Sequence, residues 1–469
     1  MGNVRWKGFQ MEWSRLLIAE RLGGHESEQR MNDVRTPYEI DVDRIAFSNS
    51  FRRLSRKTQV HPFCKNDHVH TRLTHSYEVA QVGRSLGKAL GQRIADKLPE
   101  GVSSFDIGLI VHAACLAHDI GNPPFGHAGE EAISHWFASS NGRNVLTGLS
   151  GPNERDLARF EGNAQGFRTL TQTENYLFCG GLHLTYATLG AFCKYPWSSR
   201  KAMDGEKFGA FISEETILEK VADATGLVRR EAHKWCRHPL AYLTEAADDI
   251  CYATIDLEDA VELNVLKPRE AYDLLFSVLK DDVLKTAKAM MVSDSAHRVN
   301  FARIRGFVFN ALINGAIDAF MNNYEHIMNG EFSGELIGAL DEGDLRRKLI
   351  VDAKEMGRTR IYVERIKTEV ELGCFATFEC LLDAFCTAAV ECFSQIESPK
   401  GETRLSWKSQ LVLRQLSDHS PIKSNPPPGG KWSKYSCLRR VLDFIAGMTD
   451  NYATSLAEQI SGQMHHAVY

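Results

Sequence analysis

An all-α fold is what the sequence predicts, on two observations. Apolar residues recur at three- and four-residue steps through most of the chain, and sustained alternation of the strand kind is almost absent. The only strand expectation is a small hairpin near Gln59 to Phe63. From Thr74, a candidate N-cap, Val79, Val82, Leu86 and Leu90 line one face of a helix. Leu109, Ile110, Ala113, Leu116 and Ala117 repeat the pattern between Phe105 and Ala117, and a further helix is expected from His127 to Trp136. Asn141 to Asn153 is rich in Gly, Asn and Ser and reads as a surface insertion. Helical patterning resumes at 239–261, 268–291, 301–328 and 361–393. Ser424 to Gly430 (SNPPPGG) cannot be helical, because consecutive prolines remove donors and push the preceding residues to extended geometry. It reads as a loop before a last helix, Arg439 to Ile460.

Composition narrows the class. The chain has 469 residues, 43% hydrophobic and 25% charged, ordinary for a folded cytoplasmic protein. A prior of roughly 150 residues per domain suggests about three domains, yet neither break is long enough for a linker, and no internal repeat is present. A formal net charge of -5 means that the molecule as a whole is no electrostatic trap for nucleic acid or anionic membrane. The eleven cysteines include no C-x-x-C pair, which argues against a zinc knuckle or thioredoxin-like site. Cys374, Cys380, Cys386 and Cys392 recur every six residues, about 600° of helix rotation, so they spread around a helix as buried or half-buried thiols. An odd cysteine count without a secretory leader fits a reducing compartment. No run approaches the roughly 18 apolar residues of a membrane helix. Gly2 opens the myristoylation pattern, but Arg5-Trp6-Lys7 does not lead to its Ser or Thr.

Chemistry concentrates at His118-Asp119, which end the Phe105–Ala117 helix and are followed by Gly121, Pro123 and Pro124. Alone, the pair reads as a helix C-terminus with a dipole-compensating histidine. Three further features favour a metal site. His75 sits at the start of another amphipathic helix. Asp248 and Asp249 lie inside an apolar helical run, Leu240 to Ile255, where unpaired carboxylates are expensive to bury. Asp248, Tyr252 and Asp256 are spaced by four residues and share a helix face. One histidine, a His-Asp pair and a distant Asp make a mixed N/O set suited to Mn, Fe, Co, Ni, Zn or Mg. His127 and Glu130, three apart at a helix start, can meet, and a carboxylate that orients an imidazole makes a serviceable acid/base near neutral pH. The alternative is an N-terminal carboxylate stabilising the helix dipole beside an incidental histidine. His112 reads as a satisfied core histidine.

These residues resemble the HD phosphohydrolase superfamily, whose signature is H…HD…D. The surrounding text resembles its deoxyguanosine triphosphate triphosphohydrolase branch: RTPYEIDVDRIAFSNSFRRLSRKTQV, HTRLTHS, LAHDIGNPPFGHAGEEAI, FEGNAQGFR, TLGAFCKYP, LTEAADDICYATIDLEDA and IAGMTDNYA occur in family order from about residue 35 to 455. The resemblance implies an HD-domain helical core with additional C-terminal helices. Its divisions are an N-terminal segment (1–34), the catalytic core (35–290) and a C-terminal helical region (291–469) packed on that core as one globular unit. It implies the metal ligands His75, His118, Asp119 and Asp248; Asp248 is preferred to Asp249 because the family ligand lies four residues before the tyrosine of EAADDICY. It assigns proton transfer to His127 and its support to Glu130. Gln59 resembles the residue that contacts the sugar 3′-hydroxyl, and Tyr252 with Asp256 resembles the pair that closes against the deoxyribose; for Tyr252 a core tyrosine is the alternative. Arg72, Asn163 and Lys194 are further candidate phosphate, base or sugar contacts. Asn122 stands where some HD enzymes carry another histidine.

The implied reaction is attack of a metal-polarised water on the α-phosphorus of a deoxynucleoside triphosphate, dGTP or several dNTPs, releasing a deoxynucleoside and tripolyphosphate. The implied cofactor is a divalent ion, Mn²⁺, Mg²⁺, Co²⁺, Fe²⁺ or Ni²⁺. The implied setting is a cytoplasmic homo-oligomer, commonly a hexamer, with single-stranded nucleic acid as a candidate effector and no membrane partner. Two rival readings are an HD phosphohydrolase acting on a nucleoside monophosphate or cyclic nucleotide, and a nucleotide- or nucleic-acid-binding regulator with an inert metal site.

Overall fold

Gly83, Gly87 and Gly91 recur every four residues along the Arg72–Arg93 helix and face Cys115, Gly108 and Ser104 in that order. The Ser104–Ala117 helix therefore runs antiparallel to it at close range. A methyl at Gly87 would lie 2.7 Å from the Ile107 carbonyl oxygen, so the stripe of small residues sets the spacing. The computed structural model describes residues 10–24, 34–175, 180–203, 205–398, 404–416 and 432–463. Across this pair packs the Pro239–Glu262 helix, whose Leu240, Leu243, Ala247, Ile250 and Ile255 are fully buried. These three helices form the centre of one apolar cluster that extends from Met11 to Ile361. A second cluster joins 125–160, including Trp136 and Phe137, to Phe378, Leu381, Leu442 and other residues of 374–457.

The all-α prediction holds. Among the described residues, strand is limited to an antiparallel ribbon, Arg229–Glu231 with Lys234–Trp235. The hairpin expected near Gln59 to Phe63 is absent. That stretch is turn, with a single bridge between Thr58 and Thr71, and Pro62 brings no N–H to a ladder. Asn141 to Asn153 is mostly helical, because Ser139 caps a helix at Ser140–Leu146 that buries Val145 and Leu146, and a second helix begins at Gly151. Three long stretches are each divided. Pro268–Phe276 and Asp281–Ala289 are separate helices, as are His297–Asn322 and Tyr324–Met328. The expected last helix is two, Lys434–Ala446 and Asp450–Ser461, with Thr449 starting the second by accepting the Tyr452 N–H. The SNPPPGG loop lies outside the described residues.

The Arg365–Glu397 helix departs from the expectation that nothing is long and apolar enough to span a membrane: by length and composition it is. Half of its most apolar stretch is buried inside the protein, where Phe378, Leu381, Leu382 and Phe385 belong to the second cluster, as in a core helix. Cys374, Cys386 and Cys392 are buried there and Cys380 is half-buried, as expected.

A buried ionic group ties the C-terminal helices to the centre. Arg168 donates from Nε and Nη2 to the two Asp443 oxygens at 2.7 and 2.8 Å, and from Nη1 to Glu214 Oε1 at 2.6 Å. Burial alone would raise the Asp443 carboxyl, but the Arg168 guanidinium outweighs it and holds the group at about 2. A depressed pKa stabilises the fold fully above the ordinary value of about 3.9, and that contribution is lost as pH falls towards 2. Asp443→Ala leaves a buried guanidinium short of its partner and should cost about 3–5 kcal/mol, read from denaturant unfolding at pH 7. A loss below about 1 kcal/mol would show that Glu214 suffices.

Candidate metal centre and active site

The first turn of the Arg72–Arg93 helix is fixed by a reciprocal cap: Thr74 N donates to the Thr71 hydroxyl and Thr71 N to the Thr74 hydroxyl. The N-cap is thus Thr71, not Thr74, which occupies the third helical position. His75 points inward from this turn and is 1% exposed. His118 ends the Ser104–Ala117 helix and donates from Nδ1 to the Cys115 carbonyl at 2.7 Å, which leaves Nε2 as the ligand nitrogen. Asp248 comes from the middle of the Pro239–Glu262 helix. Its Oδ1 lies 3.0 Å from His75 Nε2 and 3.6 Å from His118 Nε2. Ligand atoms of these three residues all lie within 4.8 Å of one another.

Asp119 stands beside this group rather than within it. Its Oδ2 is 3.6 Å from His118 Nε2 and accepts Arg72 Nη1 at 2.7 Å, while its Oδ1 accepts the Asn122 amide. Burial works against charge on both aspartates, yet each carboxyl is held below its ordinary range: Asp248 by His118 and His75, Asp119 by Arg72 and His118. Asp249 turns away to an ion pair with Lys354 at 3.0 Å. Two imidazole nitrogens and carboxylate oxygens suit a first-row divalent ion, and the orienting carbonyl behind His118 is the usual support for such a ligand. The Asp248 side chain is 42% exposed, so the group opens outward to a ligand.

The irregular segment after Asp119 leads to His127. Phe125 and Gly126 both have positive φ, 63° and 59°, and a Cβ on Gly126 would fall 2.3 Å from Arg72 Nη2. At φ 59° and ψ -127° the Gly126 backbone is one that L side chains rarely adopt, which is what favours glycine there. His127 opens the His127–Ala138 helix, with its side chain 75% exposed and Nδ1 2.8 Å from Glu130 Oε2. The other Glu130 oxygen accepts the Gly162 N–H at 2.8 Å. Burial would raise Glu130, but His127 outweighs it and the carboxyl is lowered. The pair expected from the spacing therefore meets, with its nearly buried carboxylate anchored from two sides.

The other candidates are placed as follows. Gln59 and Asp256 each bury an oxygen, Oε1 and Oδ1, with no hydrogen-bond partner among the described residues. Arg72 is buried and committed to Asp119 through Nη1. Asn163 donates its amide to Glu161 at 2.7 Å, closing its own loop beside Glu130. Lys194 pairs with Glu245 at 3.0 Å and lies near enough to favour the charged form of Asp248. Tyr252 packs its ring 5.8 Å from that of Tyr362. His112 donates to or accepts from nothing catalytic: its Nδ1 meets the Ala80 carbonyl at 3.0 Å, as a core histidine.

Two residues at the site escaped the sequence reading. Tyr362 donates its hydroxyl to Asp256 Oδ2. It caps a π-helical turn, Gly357–Ile361, just before the Arg365–Glu397 helix, whereas the periodicity places it inside a helix. Lys207 is exposed, and its charge adds to the lowering of Glu130 by His127 and opposes the burial that raises Glu161. A lysine between Glu206 and Phe208 carries no local signal, and only the folded chain reveals its neighbours.

Residues 72–159 match the HD domain family, and residues 414–459 match the phosphohydrolase-associated domain. A protein of Pseudomonas aeruginosa (strain LESB58) named deoxyguanosinetriphosphate triphosphohydrolase-like protein is 44% identical over 460 residues, covering 97% of this chain and 99% of the relative. A Synechocystis protein of the same name is 36% identical over 96% of this chain and 99% of its own length. The deoxyguanosinetriphosphate triphosphohydrolase of Klebsiella pneumoniae is 29% identical over 90% of this chain and 93% of its own.

Proposed function

Because the chain belongs to the HD-domain, deoxyguanosinetriphosphate triphosphohydrolase-like family of hydrolases, we propose that it converts deoxynucleoside triphosphates to deoxynucleoside and tripolyphosphate. The observation that carries this reading is the convergence of His75, His118 and Asp248, with Asp119 beside them, at the centre of three packed helices. In this reading those four side chains hold one divalent ion. A bound ion would neutralise phosphate charge and make a water acidic enough to react near neutral pH.

The remaining work falls to the chain itself. Lys194, paired with Glu245, and the exposed Lys207 add positive charge near Asp248 and Glu130, suited to a triphosphate. The unpartnered oxygens of Gln59 and Asp256 are acceptors for a sugar hydroxyl, and burial pushes the Asp256 carboxyl up to about 7. Tyr362, bonded to Asp256, and Tyr252 against it form an aromatic wall suited to exclude a 2′-hydroxyl by bulk. Water's oxygen joins the α-phosphorus, the bond from phosphorus to the 5′-oxygen breaks, and that oxygen leaves with a proton. Glu130 accepts from His127 Nδ1, which keeps Nε2 as the atom that carries this proton.

Incubation with Mn²⁺ and each of the four dNTPs in turn should yield tripolyphosphate without orthophosphate from dGTP or from several of them. Orthophosphate from a monophosphate or cyclic nucleotide would instead favour a different HD reaction. No turnover of any nucleotide with Mn²⁺ bound would favour a regulator.

A further inference from the structure

One buried carboxylate from the C-terminal region joins two segments that build the site. Asp450 is 2% exposed and begins the Asp450–Ser461 helix, whose cap is already supplied by Thr449. Its Oδ2 accepts the Thr58 N–H at 2.8 Å and also the Thr58 hydroxyl, and its Oδ1 accepts the Phe125 N–H at 3.0 Å. Thr58 immediately precedes Gln59, and Phe125 stands two residues before His127. Lys57, also 2% exposed, repeats the link by donating from Nζ to the carbonyls of Asn122 and Ala446, each at 2.6 Å.

The Phe125 contact falls where the chain needs support. A non-glycine residue at φ 63° persists only where its surroundings over-determine it, and Gly126 follows at φ 59°. These two residues set the direction in which the His127–Ala138 helix departs. The Phe125 ring is also buried in the second apolar cluster and meets the Phe63 ring edge-on at 5.8 Å.

We propose that Asp450 is a positioning residue for the hydrolysis: it registers the segment carrying Gln59 against the turn that aims His127. The roles of Gln59 and His127 in this statement rest on the function proposed above. The juxtaposition itself rests only on the three hydrogen bonds. Removing the carboxylate leaves two backbone N–H groups without acceptors, whereas asparagine restores one.

The test uses full-length protein carrying Asp450→Ala, Asp450→Asn or Thr58→Val. Four readouts are needed: Mn²⁺ binding, the unfolding midpoint, kcat and KM for the best dNTP, and amide hydrogen exchange at Thr58 and Phe125. For Asp450→Ala we expect retained Mn²⁺ binding, faster exchange at both amides and a kcat lower by about 10- to 100-fold, the scale of a 1 Å misplacement. Asp450→Asn should recover part of the rate, and Thr58→Val, which removes only the hydroxyl, should lose least. A purely structural aspartate would lower the midpoint while the folded fraction kept wild-type kcat and KM; that result overturns the proposal. Should Asp450→Ala not fold, Asp450→Asn carries the same readouts. If the wild-type protein hydrolyses no dNTP, the proposed function fails by itself. Unchanged exchange at Phe125 would then still overturn the positioning claim, and accelerated exchange would support it.

Discussion

His118→Ala should abolish Mn²⁺ binding and, with it, turnover, by roughly 10³-fold or more. Several kcal/mol of charge stabilisation depart with the ion, at 1.36 kcal/mol per tenfold in rate. The size of the effect follows from where His118 stands. Its Nε2 is 3.6 Å from both Asp248 Oδ1 and Asp119 Oδ2, so it is the donor that links the two carboxylates. Its ring is already oriented by the Cys115 carbonyl, so no entropy need be lost on binding to orient it. Without it, His75 and Asp248 remain 3.0 Å apart, and free to satisfy each other by a hydrogen bond instead of holding a cation. Calorimetric titration with Mn²⁺ and a tripolyphosphate assay on the same preparation check both halves. A variant that bound Mn²⁺ with wild-type affinity would remove His118 from the ligand set.

The candidate site was legible in the sequence where its residues are neighbours in the chain or sit at helical spacing. His118-Asp119 could be found because a buried apolar helix ends there and Gly121, Pro123 and Pro124 forbid its continuation. His127 and Glu130 could be found because a three-residue step brings side chains together on any helix. The choice between Asp248 and Asp249 could not be made from burial or periodicity, since both interrupt the same apolar run. It came from family spacing, and the fold turns Asp248 to the histidines and Asp249 to Lys354.

Contacts between distant segments were illegible for a physical reason. Thr71 and Thr74 are equally good capping residues by type, and only the backbone direction at Thr71 decides between them. The Gly-, Asn- and Ser-rich stretch from Asn141 has weak intrinsic helix propensity, but a capped turn that buries Val145 and Leu146 overrides it. The short ribbon at Arg229–Trp235 has no apolar alternation to announce it, being largely charged and exposed. Tyr362 reaches Asp256 across 106 positions of sequence, and nothing local encodes that pairing.

His127→Ala should separate proton chemistry from metal chemistry. Its side chain is 75% exposed, and its hydrogen bond goes to Glu130, not to any of the four residues assigned to the ion. Mn²⁺ affinity should therefore stay within about twofold of wild type, while kcat falls by about 10²- to 10⁴-fold, the range for loss of a positioned acid or base. KM should change little, because an exposed imidazole that carries a proton contributes in the transition state more than in the ground state. Glu130→Gln should lose less than His127→Ala. An amide oxygen can still accept from Nδ1 and hold the ring's orientation, but it no longer places a negative charge beside that ring. The bland alternative, a helix-terminal carboxylate beside an incidental histidine, makes the opposite forecast: near-normal kcat for His127→Ala and a small stability loss for Glu130→Gln. A pH–rate profile distinguishes the two directly, because an acid/base pair loses one limb of its profile when the imidazole is removed, whereas a helix cap leaves both limbs in place.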